Sequence, residues 1–261
     1  GACLPLVPGV VLWLPAENNA SDLYGHTTSF SGPSYANGEV DRAFHFDGTN
    51  EVTIDSDLDL NLPEFSVEGW IYPTSLDGVM DVIVSKETGN GAGQYQYGLA
   101  IKGPQDQLNY SIPAGNLAFR LGGIADLLTD FDGWVDVNKP VPLNQWSHVA
   151  LTVSPAAIIV YLNGRAEAII DRPTGTVPAT QGALRLGAPS PATSSLRPGD
   201  RFNGRLDEFA VYRRALTHQE VTRIFNAGEL GKCGRNFQVE IYGNHYTQLH
   251  EPFFQQIRFI N

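Results

Sequence analysis

The feature that most constrains this 261-residue chain is a regular alternation of short apolar runs with clusters of glycine, proline, asparagine and aspartate. The runs are short for helices and recur about every ten to fifteen residues, which is the spacing of an all-β sandwich. The predicted strands are 10–15, 43–46, 51–54, 65–72, 79–86, 96–101, 116–121, 145–153, 157–162, 166–170, 183–187 and 205–212.

Two local signals add a hairpin and a helix to this pattern. Asn163-Gly164 separates two apolar runs and predicts a tight hairpin, because a type I′ turn needs positive φ at both central residues. Thr217 is followed three residues later by Glu220, which is a capping-box pattern, and Gly228 is a suitable C-terminal stop. The sequence therefore predicts an all-β, two-sheet antiparallel fold with one short C-terminal helix.

Charge and hydropathy narrow the classes of partner. The net charge is −11, from 28 acidic and 17 basic residues. An acidic surface repels phosphate backbones, so we expect no nucleic-acid partner. No apolar run reaches the ~20 residues that a bilayer-spanning helix needs, so we expect no membrane span.

The two cysteines, Cys3 and Cys233, lie near opposite ends of the main body of the chain. We expect them to form a disulfide, a bond that persists in oxidising compartments. Together with the lack of an initiator methionine, this predicts a processed, secreted protein of the extracellular space.

The character of the sequence changes after Cys233, so we expect a domain over 1–233 and a strand-like extension over 234–261. Apolar residues alternate with polar ones in the extension and predict one or two strands. Two interpretations stay open: an extra strand pair on the same sandwich, or an arm that adds a strand to another copy or partner. The candidate assembly residues are Phe237, Val239, Ile241, Ile257 and Phe259.

Six sequence blocks follow one another along the chain: VLWLPAENNASD (11–22), VDRAFHFDG (40–48), FSVEGWIYP (65–73), LNQWSHVA (143–150), VYLNG (160–164) and FNGRLDEFAVY (202–212). Together they resemble laminin G-like jelly-roll domains of bacterial secreted proteins, within the concanavalin A-like lectin/glucanase superfamily. The resemblance covers about residues 4–233 and implies a jelly-roll sandwich. The superfamily includes lectins, adhesive modules, pentraxins and glycosidases, so the fold alone does not fix the function.

The loop after the first predicted strand is rich in oxygen ligands, which suit calcium. Asp207 is in strand phase with Phe209 and Val211, so we expect its carboxylate to point inward and to need a compensating cation. The alternative is that Asp207 pairs with Arg205 or caps backbone amides. The resemblance implies a structural calcium between the first loop and the late strand, with the ligands Glu17, Asn18, Asp22 and Asp207.

Aromatic side chains in predicted loops indicate a glycan-stacking surface made of Tyr95, Tyr97 and Trp134. The acidic stretch around Trp134 fits either a sugar-holding loop or a solvated insertion. The polar cluster 47–50 lies where pentraxin-like relatives bind calcium, but it is interpreted as a plain turn.

Catalysis has little support in the sequence. Laminarinase-type relatives carry their acids on a Glu-x-Asp-x-x-Glu strand, which does not occur here, and Glu64 and Glu68 belong to an ordinary structural strand. We therefore expect a non-catalytic module, stabilised by calcium, that binds glycans or extracellular matrix or cell-surface components. One alternative is a self-assembling extracellular subunit of a fibre or surface layer, which uses the extension. Another is a glycoside hydrolase.

Overall fold

A computed structural model describes residues 2–89, 91, 93–105, 112–125, 127–129, 133–171, 173–196, 199–234, 238–241 and 257–260. The strands are β1 Val10–Leu14, β2 Thr28–Ser31, β3 Tyr35–Asn37, β4 Arg42–Asp47, β5 Glu51–Ile54, β6 Phe65–Ser75, β7 Met80–Glu87, β8 Tyr95–Lys102, β9 Asn116–Leu121, β10 Trp134–Pro140, β11 Ser147–Val153, β12 Ala157–Leu162, β13 Arg165–Asp171, β14 Leu184–Leu186, β15 Asn203–Tyr212, β16 Gln238–Ile241 and β17 Ile257–Ile260. The helices are α1 Pro191–Leu196 and α2 His218–Ala227, with short 3₁₀ turns at Leu58–Leu60 and Gly228–Leu230.

The strands form two large antiparallel sheets. The eight-stranded sheet runs in the order β13-β12-β11-β6-β15-β4-β3, and β1 also pairs with β15. The seven-stranded sheet runs in the order β10-β9-β8-β7-β14-β5-β2. The predicted all-β, two-sheet antiparallel jelly-roll sandwich is confirmed.

The core lies between the two sheets, and strand alternation decides which side chains enter it. On β9, Leu117 and Phe119 join the central apolar cluster, whereas Ala118 lies on the other face beside Trp134. A second cluster covers the outer face of the eight-stranded sheet, where Val221 and Ile224 of α2 pack with Tyr161 and Tyr212. Helix α2 is therefore fastened to the sandwich by one apolar stripe, as an amphipathic surface helix is expected to be.

The predicted turn and helix signals are confirmed. Asn163 and Gly164 both have positive φ, at 50° and 73°, and join β12 to β13. The Thr217 side chain accepts a hydrogen bond from the Glu220 amide, and the Glu220 carboxylate accepts one from the Thr217 amide. The helix ends at Gly228, whose φ is 49°.

Three strands and one helix were missing from the sequence prediction. β2 and β3 have four and three residues and are half exposed, so they lack an apolar run. β10 corrects the idea of a solvated insertion around Trp134: it pairs with β9 through Trp134↔Arg120 even though it carries Asp, Asn and Lys. α1 is a single short helix of mainly small and hydroxyl residues, with no apolar period to reveal it.

The predicted disulfide between Cys3 and Cys233 is present, with a Cα–Cα distance of 4.9 Å. Backbone hydrogen bonds support it on both sides. The Leu4 amide donates a hydrogen bond to the carbonyl of Gly231, and the Leu4 carbonyl accepts one from the amide of Cys233. The bond thus joins the beginning of the chain to the segment that follows α2.

The extension contains two strands that pair with each other. β16 and β17 are antiparallel, from Gln238↔Ile260 to Ile241↔Ile257, and form their own two-stranded sheet. Phe237 lies outside the described residues, and the other four candidate assembly residues lie in these strands. Whether the pair engages its own sandwich or a neighbour stays a prediction.

Candidate functional site

Asp207 lies at the centre of the predicted cation site and is fully buried. Its Oδ2 accepts a hydrogen bond from the Val40 amide at 2.9 Å, whereas its Oδ1 is buried without a hydrogen-bond partner. Arg205 does not supply the missing partner, because its guanidinium donates to the carbonyl of Asn37. The backbone-capping alternative therefore accounts for one oxygen of Asp207 and leaves the other unsatisfied.

The burial of Asp207 does not arise from the strand phase that the sequence predicted. The pairing of β15 with β6 shifts register between Asp207 and Ala210, and Glu208 has a positive φ of 56°. Leu206 and Phe209, three residues apart, consequently both enter the central core. A bulge changes the direction in which the following side chains point. The side chain of Asp207 therefore does not alternate regularly with that of Phe209, and it contacts the loop around Val40.

Two of the first-loop residues contact Arg42, two residues after Val40. Glu17 Oε1 is 3.5 Å from the Arg42 amide, and Asn18 Oδ1 accepts a hydrogen bond from Arg42 Nε at 3.3 Å. Burial raises the pKa of Asp207 to about 8, and the nearby carboxylates of Glu208 and Glu17 act in the same direction. The carboxylates of Glu17 and Glu208 thus act on that of Asp207, and the calcium site itself stays a prediction.

Asp22 makes its contacts within its own loop and with the end of β1. Its Oδ1 accepts the Trp13 amide at 2.8 Å. Its Oδ2 accepts the His26 amide at 3.0 Å and lies 2.7 Å from His26 Nδ1. Both oxygens thus orient this loop, and the assignment of Asp22 as a calcium ligand stays a prediction.

A buried charged network on the eight-stranded sheet was not predicted. Lys232 Nζ donates to Glu68 Oε1 at 2.9 Å and to the Glu208 carbonyl at 2.6 Å. His148 Nε2 and the Tyr212 hydroxyl each lie 3.0 Å from the Glu68 carboxylate. Burial acts to raise the pKa of Glu68, but Lys232 and His148 hold it below its usual value. No sequence signal reveals this network, because its members come from three strands and the segment after α2.

The three predicted stacking aromatics occupy different environments. Tyr97 is only 1% exposed, with its ring centroid 4.6 Å from that of Phe65, so it belongs to the core and offers no stacking surface. Trp134 is also buried, at 3% exposure, against the guanidinium of Arg120. Tyr95 is partly exposed, and Arg120 lies 4.4 Å from its ring centroid. Only Tyr95 remains a candidate contact for a ligand.

A cleft opens at the loop end of the sandwich where β8 begins. Its volume is about 160 Å³, and it is lined by residues 63–64, 124, 153–155, 173 and 175–177. Tyr95 is close to this end, because its carbonyl lies against Gly122, and the next residue, Gly123, accepts a hydrogen bond from the Thr176 amide. We call this feature the loop cleft. It was not predicted, because four separate chain segments build it.

The lining of the loop cleft combines apolar rings with a few polar groups. Pro63, Pro155 and Pro173 supply ring faces, and the exposed side chains of Glu64 and Thr176 supply oxygen atoms. Glu64 carries the only charge among the described lining residues. Ligand sites characteristically have such a mainly apolar wall with a small number of oriented polar groups.

Comparison with known proteins agrees with this architecture. A family model described as the concanavalin A-like lectin/glucanases superfamily matches residues 46–222. No curated protein matches the sequence.

Among the described residues, no helix has the length and apolar character needed to cross a membrane.

Several solved structures share the fold at low sequence identity. Domain 4 of AbnA, a GH43 extracellular arabinanase from Geobacillus stearothermophilus in complex with arabinotriose, has a TM-score of 0.61 and 19% identity over 82% of this chain and 97% of that one. The binding domain of Paraclostridial Mosquitocidal Protein 1 has a TM-score of 0.60 and 19% identity, over 89% of this chain and 53% of that one. The binding domain of botulinum neurotoxin DC in complex with rat synaptotagmin II has a TM-score of 0.55 and 15% identity, over 90% and 55%. The chain thus spans nearly all of the arabinanase domain and about half of each toxin domain.

Proposed function

The chain belongs to the concanavalin A-like lectin/glucanase superfamily, and on this basis we propose that it is a non-catalytic, extracellular module that binds glycans at the loop cleft. The observation that carries the proposal is the cleft itself, where the rings of Pro63 and Pro155 stand beside the exposed Glu64 and Thr176. Its volume lies below the ~300 Å³ typical of small drug-sized sites, so it suits one sugar unit of a longer glycan.

The chemistry of the cleft matches a neutral sugar. The apolar faces of sugar rings pack on proline rings, and sugar hydroxyls exchange hydrogen bonds with the Glu64 carboxylate and the Thr176 hydroxyl. The ring of Tyr95 packs on Arg120 outside the cleft lining, so Tyr95 is not part of the proposed site. The arabinotriose complex of the similar arabinanase domain supports a carbohydrate ligand on this fold.

The arrangement of carboxylates favours binding over hydrolysis. Glycosidases need two carboxyl groups that flank the scissile bond. Glu64 is exposed at the cleft, whereas Glu68 is 1% exposed and fixed by Lys232, so these two residues do not form such a pair. The Cys3–Cys233 disulfide supports the extracellular assignment, because disulfides persist in oxidising compartments.

We also propose that Glu17, Asn18 and Asp207 hold a structural calcium ion. The fit rests on the buried, unpartnered Oδ1 of Asp207 beside further acidic groups. Calcium accepts hard oxygen ligands and would neutralise this local excess of negative charge. The ion would fasten the first loop to β15, and the glycan would bind elsewhere.

Calcium removal tests this second proposal. We expect chelation to lower the melting temperature of the wild type and to leave that of Asp207→Asn unchanged. The exposed Asp171→Asn is the matched control and should keep the wild-type response. A wild-type melting temperature that chelation does not change, together with metal analysis that finds no calcium, would refute the site.

A glycan array tests the binding function. We expect calcium-independent contacts at the cleft, so arrays with and without calcium should give the same positive glycans as long as the protein stays folded. Thr176→Trp should fill the cleft and reduce binding at least tenfold, whereas Asn226→Trp, on the exposed face of α2, should retain it. Binding that persists in Thr176→Trp, or an array with no positive glycan, would reject the cleft as a glycan site.

The extension favours a second function, assembly with copies of the same chain. Among the described residues, β16 and β17 pair only with each other, so each has an edge on which another strand can add. We expect deletion of 234–261 to leave a folded monomer and to abolish any oligomer seen by light scattering for the full chain. A full chain that is monomeric at high concentration would reject this function.

A further inference from the structure

His26 and two aspartates meet at one end of the seven-stranded sheet, away from the sites described above. β2 and β5 are antiparallel with Thr28 opposite Ile54, and the Asp55 amide continues the ladder by donating to the carbonyl of Thr27. His26 immediately precedes this ladder on the β2 side. It therefore lies next to the segment that follows β5, which turns through Leu58–Leu60. This geometry explains why side chains from 26 and 57–59 converge.

The ring of His26 is held in a defined orientation. Its side chain is only 5% exposed, and Nδ1 lies 2.7 Å from Oδ2 of Asp22, whose own side chain is fully buried. Asp22 already accepts the amide hydrogens of Trp13 and His26 and therefore acts as an acceptor. A neutral ring must place its single hydrogen on Nδ1 to satisfy this contact.

The other ring nitrogen faces the carboxylate of Asp59, so either a proton or a metal ion lies between the two. Nε2 of His26 lies 2.9 Å from Oδ1 of Asp59. One ligand atom from each of His26, Asp57 and Asp59 lies within 4.8 Å of the others. A lone pair and a carboxylate oxygen repel each other at this distance, so the nearly buried Nε2 needs a cation or a proton between them.

We propose that His26, Asp57 and Asp59 bind a zinc ion, with Asp22 as the positioning residue that orients His26. Zinc takes imidazole nitrogen and carboxylate oxygen, and three protein ligands leave a fourth position for water. A carboxylate on the second nitrogen of a ligating histidine fixes its tautomer and orientation. The exposed aspartates leave the ion an entry path from solvent.

The ligand set distinguishes this site from the calcium site proposed at Asp207. Calcium is bound through oxygen, whereas imidazole favours zinc and other borderline metals. The two proposed sites share no ligand, because zinc is assigned to His26, Asp57 and Asp59 and calcium to Glu17, Asn18 and Asp207. An experiment that refutes one of the two metal sites therefore does not refute the other, nor the glycan-binding proposal.

Titration of the metal-free full chain with zinc alone tests the proposal. We expect one zinc ion per chain by calorimetry, and at least tenfold weaker binding in His26→Gln and in the exposed variant Asp59→Asn. Asp55→Asn and His218→Gln are matched controls, because they remove an exposed aspartate beside the cluster and an exposed histidine elsewhere. Both should bind zinc as the wild type does.

Asp22→Asn separates orientation from folding. The asparagine oxygen can still accept the Trp13 amide, so the fold should persist, and loss of the orienting carboxylate should weaken zinc binding by about 10–100-fold. In long-range ¹H–¹⁵N spectra, zinc should shift Nε2 of His26 and leave Nδ1 protonated. Wild-type chain that binds no zinc, a ring protonated at both nitrogens and insensitive to zinc, or equal loss in the control variants would overturn the proposal.

Discussion

Two buried carboxylates, those of Glu68 and Asp81, differ in how far neighbouring groups offset their burial. Glu68 has Lys232 and His148 as partners, and its pKa stays below the usual value although burial acts to raise it. Asp81 has no such partner. Its Oδ1 accepts hydrogen bonds from the amides of Asp77 and Gly78, and its Oδ2 has no hydrogen-bond partner. Burial raises the pKa of Asp81 to about 7. The charged form of the carboxylate is therefore favoured at Glu68 and disfavoured at Asp81.

Asp81→Asn should stabilise the protein at pH 8. Since the folded pKa is raised from 3.8 to about 7, the favourable contribution of Asp81 is complete below about pH 4 and is lost as the pH rises through 7. We expect the variant to exceed the wild type by about 1–3 kcal/mol at pH 8 and the difference to vanish near pH 4. Chemical denaturation at both pH values measures it, and a variant that is less stable at pH 8 would contradict the assignment.

Lys232→Gln should destabilise the protein by about 3–5 kcal/mol, because it removes the buried cation that the carboxylates of Glu68 and Glu208 share. Lys139→Gln is the matched control. Its partner is Glu167 at 3.1 Å, the lysine is 45% exposed, and exposed pairs contribute about 0–1 kcal/mol. Equal losses of unfolding free energy in the two variants would show that the buried network stabilises the fold no more than the exposed ion pair does.

At the scale of elements, the sequence predicted those strands that are long and apolar and missed those that tertiary pairing imposes. The bounds of β5, β9 and β12 agree with the prediction, because each is a complete run with turn residues on both sides. β10 was missed because an edge strand needs few apolar residues and is held by its neighbour β9. The bulge at Glu208 was missed because it depends on pairing with β6 and not on local sequence.

The β12–β13 turn also anchors α2. A Cβ on Gly164 would lie 2.9 Å from the Phe225 ring, and φ is +73°. We expect Gly164→Ala to cost more than the roughly 1–2 kcal/mol of a left-handed residue, because the ring must also move. Gly115→Ala is the control, with φ of +90° and open space around it. Equal costs in thermal unfolding would show that α2 does not depend on the contact with this turn.

At the scale of the molecule, the disulfide secures the two ends of the described sandwich. Joining Cys3 to Cys233 closes a loop with a sequence separation of 230 residues. The bond also holds the segment that inserts Lys232 under the sheet. We expect the Cys3→Ser, Cys233→Ser double variant to lose about 4–5 kcal/mol of unfolding free energy. A loss below ~1 kcal/mol would mean that packing alone holds the ends.

The sequence predicted the sandwich, because strand patterns and family blocks are local. It also predicted that Asp207 is buried, but from a strand phase that the bulge at Glu208 removes. It did not predict the loop cleft, which unites residues near 63, 124, 154 and 175. Nor does oxygen-rich spacing reveal that His26 folds back onto the carboxylate of Asp22. Sites built from distant segments become visible only when the sheets bring those segments together.

The central claim is that a glycan binds in the loop cleft, and NMR titration with an array-positive oligosaccharide tests it most directly. The account predicts that the backbone amide shifts cluster at Glu64, Ile124, Ser154, Gly175 and Thr176, and that Thr176→Trp abolishes them. Shifts that cluster on the outer face of the eight-stranded sheet around α2, with the cleft amides unmoved, would contradict it.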